Sequence, residues 1–170
     1  MDSTLTLDTK FQSGAWTLYF HAQGESKWGI DTFIKVGTMT SWREFWAIMN
    51  TLKPDNLSHG MFFLMRDPIL PLWENHQNIR GGGYSFRIIK ENAGEAFITY
   101  AIATMILKTQ KDPTNCINGI SISPKKKFNV IKIWNTDCKR YKTPSDINIL
   151  LPDIRHEGDI IYTPFVQKKM

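Results

Sequence analysis

Cysteine is scarce in this sequence of 170 residues: Cys116 and Cys138 are the only two, and they do not form the close pair of a zinc site. The four histidines, His21, His59, His76 and His156, are scattered without ligand spacing. A disulfide-stapled scaffold is excluded, no metal or other cofactor is called for, and reduced structural thiols are expected. No apolar run approaches the roughly 20 residues of a membrane-spanning helix. Met1 to Thr9 carry neither the basic start nor the apolar core of a signal peptide. The expectation is a soluble, cytoplasmic protein without a membrane partner. Catalytic signatures are missing too. There is no Gly-x-Ser-x-Gly elbow, no Walker-type phosphate loop, no His-Glu-x-x-His and no local cysteine–histidine pattern. No second acid is placed near Glu74 to make it a general base, so an enzyme is not the expectation. Repeats, low-complexity tracts and linkers are absent, which points to one domain over residues 1–170, with 1–12 as a flexible tail.

Hydrophobic residues make up 42% of the chain, enough for one sizeable core. The net charge of +5 is unevenly spread. Residues 108–142 hold nine basic and two acidic side chains, while the flanking segments are close to neutral. Such a stretch is either a solvated basic surface or a site for a polyanion such as phosphate or nucleic acid.

Alternation of apolar and polar residues predicts strands at Trp16–His21 and Asp31–Val36. Ser41-Trp-Arg-Glu44 has capping-box spacing and predicts a helix from Trp42 to Leu52, stopped by Pro54. Met61–Arg66 reads as a buried strand, with Gly83–Lys90 as its partner across a proline-flanked loop. Helical spacing predicts a second helix over Gly94–Lys108. Cys116–Ser123 and Phe128–Trp134 read as a hairpin joined by Pro124-Lys-Lys-Lys127. Thr143-Pro144 suggests the start of a short third helix, and Asp159–Phe165 a last strand. Strand pairs alternating with helices favour an α+β domain with a mainly antiparallel sheet and helices on one face.

Six tryptophans are many for this length, and three fall where strands meet loops: Trp28, Trp73 and Trp134. Core packing at strand ends is the plain explanation for each. Two features favour a binding role. Trp28 sits in the polar stretch Gly24-Glu-Ser-Lys-Trp-Gly29, and Trp73 is followed by Glu74 and amide residues rather than by a hydrophobic strand. Two indoles across a slot can sandwich a nucleobase, contributing about 1–3 kcal/mol, and more if the base is cationic. A carboxylate at the slot's edge selects guanine by its N1 and N2 hydrogens, and lysines at the mouth suit phosphates. These parts together describe a receptor for a methylated, positively charged guanosine polyphosphate.

Trp16-Thr-Leu-Tyr-Phe20, Lys27-Trp28, Phe45-Trp-Ala47, Pro71-Leu-Trp-Glu74 with Asn78-Ile-Arg-Gly-Gly82, Asn118-Gly119 and Ile131-Lys-Ile-Trp134 occur in an order and spacing that resembles the eukaryotic translation initiation factor 4E family. Its members bind the 7-methylguanosine cap of mRNA. The resemblance runs from Trp16 to about Phe165. It implies a curved sheet with helices on the convex face and the cap slot on the concave side. It further implies Trp28 and Trp73 as the stacking pair, Glu74 at the guanine edge, the Trp73 backbone amide at O6 and Trp134 at the N7-methyl group. The family's phosphate clamp, an arginine and a lysine two residues later, falls on Lys125 and Lys127. Lysine for arginine loses a bidentate fork, for which Lys126 compensates in charge.

The resemblance also implies a helical surface centred on Trp46, beside Trp42, that receives a 4G-like scaffold or a 4E-binding protein, with the chain itself a monomer. Several features depart from the family. Leu7-Asp-Thr9 lacks the usual His-Pro-Leu element, Thr99 and Ala103 replace larger aliphatics, and the C-terminal loop and N-terminal tail look short. The expected function is cap binding in translation initiation by a compact, divergent member. The alternatives are a cap-binding repressor or sequestering factor that does not engage the 4G scaffold, and an enzyme acting on capped nucleotides.

Overall fold

A computed structural model describes residues 6–151 and 159–166. Seven strands form one sheet in the order β2-β1-β3-β5-β6-β4-β7, every neighbouring pair antiparallel. They are β1 (Trp16–His21), β2 (Phe33–Met39), β3 (Met61–Arg66), β4 (Gly82–Ile89), β5 (Ile117–Pro124), β6 (Phe128–Asn135) and β7 (Ile161–Pro164). Two helices, α1 (Trp42–His59) and α2 (Lys90–Met105), complete the α+β fold.

Side chains alternate across a strand, and here the alternation divides two apolar clusters. Trp16, Leu18, Phe62, Leu64, Tyr84, Phe86, Ile120, Ile122, Ile131 and Ile133 face the helices and pack with Phe45, Met49, Phe97 and Tyr100. Tyr19, Phe33, Phe63, Met65, Ile69 and Trp134 form a smaller cluster on the opposite face. Among the described residues no helix covers that second face, so its residues are available as the floor of a site.

Strands β1 and β3 and the β5–β6 hairpin fall where the alternation places them. Others move. Asp31 and Thr32 belong to a 3-10 turn, and β2 starts at Phe33. β4 is not the partner of β3: it pairs with β6 and β7, while β3 pairs with β1 and β5. The Trp73 loop therefore carries the chain across the sheet instead of closing a hairpin. The second helix begins at Lys90, four residues early, and Pro144–Asp146 is a single 3-10 turn rather than a third helix.

At the start of α1, Ser41 Oγ accepts from the Glu44 amide, and Glu44 reaches back to the Thr40 hydroxyl (2.6 Å) and amide (3.2 Å). Those Thr40 hydrogen bonds hold the Glu44 carboxyl below its ordinary pKa. Pro54 ends the first helical stretch, as its missing amide requires, but the helix restarts: Lys53 takes φ 65° and residues 54–59 continue after the kink. Residues 6–12, expected as tail, are seated on this helix. The Phe11 amide donates to the Thr40 carbonyl (2.8 Å), Arg43 pairs with Asp8 (2.7 Å), and the Phe11 ring meets Trp42 edge-on. Residues 1–5 of that tail lie outside the described residues.

The kink also sets the helix–helix contact. A methyl group built on Gly94 of α2 would lie 2.1 Å from the Pro54 carbonyl oxygen, so only glycine allows this approach. Gly94→Ala is expected to cost about 1–3 kcal/mol by overpacking, read as a lower urea midpoint at unchanged slope. An unchanged midpoint would mean that the helices separate without penalty.

Candidate nucleotide-binding site

A slot of about 690 Å³ opens on the face that the helices leave bare. Its floor is Met61 and Phe63 from β3, Ser121 and Ser123 from β5, and Val130, Lys132 and Trp134 from β6. Trp28 enters from the loop after β1, and Leu72, Trp73 and Glu74 from the loop after β3. Thr163, Pro164 and Phe165 close another side.

The two loop tryptophans are the exposed aromatic surfaces of the slot, 46% exposed at Trp28 and 49% at Trp73. An indole left half in water forgoes burial worth about 2 kcal/mol, so neither is placed as a core residue. Each is nonetheless held. Trp28 lies flat on His21, ring centroids 3.9 Å apart and planes within 2°. His21 is fully buried at the end of β1, and its Nε2 donates to the Lys27 carbonyl (2.8 Å), fixing the backbone just before Trp28.

The Trp73 loop is pinned by amides. Buried Asn78 donates from Nδ2 to the carbonyls of Leu70 (3.0 Å) and Leu72 (2.9 Å). Asn118 of β5 donates in turn to Asn78 Oδ1 (2.9 Å) and to the Gln77 carbonyl (2.8 Å). A loop with no ladder partner thus has its backbone acceptors satisfied by two side chains. Glu74, next to Trp73, is exposed and lines the slot.

Trp134 differs from the other two: it is 5% exposed, donates its indole N–H to Ser121 Oγ (3.0 Å), meets Phe63 edge-on and packs at a tilt against Phe165. It presents part of the floor rather than a free ring. Of the three loop lysines, Lys125 lines the slot, while Lys126 and Lys127 are exposed outside its lining. The Lys125 amide donates to the Phe128 carbonyl, so the tight connection aims these side chains differently. On the helical side, Trp46 and Trp42 are half-buried, each edge-on to Phe45, away from the slot. Nearby on α2, Thr99 is exposed and Ala103 buried.

Sequence reasoning missed His21 and Lys132. The signal for Lys132 was present, because it alternates with Val130 and Trp134 on one strand and so shares their face. His21 likewise shares a face with Tyr19. Cys116 and Cys138 are free thiols, Cys116 exposed rather than structural. Among the described residues, no helix is long and apolar enough to cross a membrane.

The profile of the family described as eukaryotic initiation factor 4E matches residues 12–160. This chain belongs to that family. Curated relatives include eukaryotic translation initiation factor 4E of Candida albicans, 28% identical over 158 residues, covering 84% of this chain and 75% of that protein. The human factor 4E is 24% identical over 137 residues, covering 78% of this chain and 63% of its own length. The chain therefore spans less than two thirds of some of the relatives that it matches. Among solved structures, the fold is similar to Ascaris suum eIF4E-3 in complex with the m2,2,7G cap (TM-score 0.69, 16% identity, 95% of this chain and 93% of that one). It is also similar to C. elegans eIF4E-3 bound to the 4E-binding protein Mextli (TM-score 0.67, 17% identity, 77% of each chain).

The His21–Trp28 stack is open to a direct check. His21→Ala removes the shelf under the indole and the hydrogen bond to Lys27. A loss of roughly 1–3 kcal/mol in unfolding free energy is expected, together with stronger acrylamide quenching of Trp28 fluorescence in a Trp73→Phe background. Unchanged quenching would show that His21 does not hold the ring.

Proposed function

We propose that this chain binds the 7-methylguanosine 5′ cap of mRNA and acts in translation initiation as one non-enzymatic, cytoplasmic, monomeric cap-binding unit. The observation that carries the reading is the pairing of two half-exposed indoles, Trp28 and Trp73, with the Glu74 carboxylate around one slot. Trp28 and Trp73 stack on either face of the methylated guanine. The positive charge of the methylated ring strengthens the stack, because aromatic faces attract cations.

Glu74 accepts hydrogen bonds from guanine N1 and N2, the Trp73 amide donates to O6, and Trp134 contacts the N7-methyl group. Phosphates leave the slot past Lys125, with Lys127 and Lys126 acting further out along the triphosphate. Family membership and the fold likeness to cap-bound relatives support this assignment. Capture on 7-methyl-GTP resin tests it: Trp73→Ala and Glu74→Ala should each lower affinity at least about tenfold, the latter because desolvated guanine donors lose their acceptor. A Glu74→Ala protein held as tightly as the parent would remove the edge-recognition role.

The surface around Trp46 recruits the scaffold partner, as an apolar groove receives an amphipathic helix. One observation favours a second reading, a cap-binding repressor that does not engage the scaffold. The segment carrying Asp8 and Phe11 already packs on Trp42 and Arg43 at the start of α1, narrowing the free surface. Pull-down with a 4G fragment separates the two. Retention that falls at least about fivefold in Trp46→Ala supports recruitment, and no retention by the parent protein supports the repressor.

A further inference from the structure

Lys132 is the cation that the loop-lysine assignment leaves out. It stands on β6 two residues before Trp134, on the same face, and is part of the slot floor. Partial burial, and then the nearby charge of Lys125, push its ammonium below the ordinary lysine pKa. No acidic side chain among the described residues forms an ion pair with it.

A half-buried ammonium with a second ammonium nearby is unfavourable in the free protein, and an anion between them relieves it. The neighbouring strand makes room for this side chain. A methyl group on Gly83 of β4 would lie 2.6 Å from Lys132 Cγ and Cδ, so the lysine stem runs across bare glycine backbone. The stem thereby lies on the β4 side of the slot floor.

We propose that Lys132 binds the phosphate nearest the nucleoside and is the principal phosphate-binding cation of the slot, ahead of Lys126 and Lys127. This deepens the cap-binding reading and rests on it. The inner position fixes which ligands respond: a cation on the slot floor meets the first phosphate of any nucleotide, whereas Lys126 and Lys127, exposed outside the slot lining, reach only the outer ones. The charge-assisted contact, made away from bulk water, is stronger than its counterparts at the mouth.

The test compares the parent, Lys132→Met and Lys127→Ala, titrated with 7-methylguanosine and its mono-, di- and triphosphates. Methionine keeps the apolar stem, so the fold is retained, and the thermal midpoint of Lys132→Met is expected to equal or exceed that of the parent. Lys132→Met should lose about tenfold or more in affinity for all three nucleotides with the nucleoside unaffected, and Lys127→Ala should lose affinity only for the triphosphate. Equal binding of the nucleotides by Lys132→Met and a binding-competent parent overturns the Lys132 role alone. An equal loss for nucleoside and nucleotides overturns it too, placing the lysine at the base. A parent that binds none of the four ligands removes the cap-binding reading and this role with it.

Discussion

Alternation along two central strands, β3 and β6, governs both halves of this molecule. On β6, Ile131 and Ile133 enter the core beneath the helices, while Val130, Lys132 and Trp134 face the slot. On β3, Phe62 and Leu64 point one way and Phe63 and Met65 the other. A slip of one residue in either strand would exchange core and site completely. Because α1 and α2 bury only one face, the hydrophobic effect that fixes the register also leaves a floor of aromatic and polar groups without a cover.

Over that floor, the walls are held by polar contacts rather than by burial. Asn78 and Asn118 satisfy the backbone of the Trp73 loop, and His21 supports both the ring of Trp28 and the carbonyl before it. Ordering a loop on binding costs free energy, so walls fixed in advance would leave more of the proposed stacking energy as affinity. Half-exposed indoles and a partly buried lysine run against ordinary folding preferences. Their concentration around one cavity fits the proposed binding role in a fold that is otherwise consistent with its sequence.

How far the sequence could be read depended on whether a feature was local. The strands at Trp16–His21 and Met61–Arg66, the lysine-linked hairpin and the cap at Ser41 follow from periodicity and side-chain chemistry within a few residues. The β3–β4 pairing failed because strand order is set by packing across the sheet, about which a loop's length says little. The restart of α1 after Pro54 was hidden because Lys53 adopts a left-handed conformation that its residue type does not announce. In the site, tryptophans and an acid in polar surroundings drew notice. Lys132 and His21 did not, since a lone lysine or histidine on a strand reads equally well as solvated. Only the register shows which face each occupies.

Titration of intrinsic tryptophan fluorescence with 7-methyl-GTP, run beside unmethylated GTP, tests the central claim most directly. The arrangement of Trp28, Trp73 and Glu74 predicts strong, saturable quenching by the methylated nucleotide at concentrations where GTP has little effect, because only the cationic ring gains the full stack. Equal quenching by both nucleotides, or none by either, would contradict it and return Trp28 and Trp73 to a structural role.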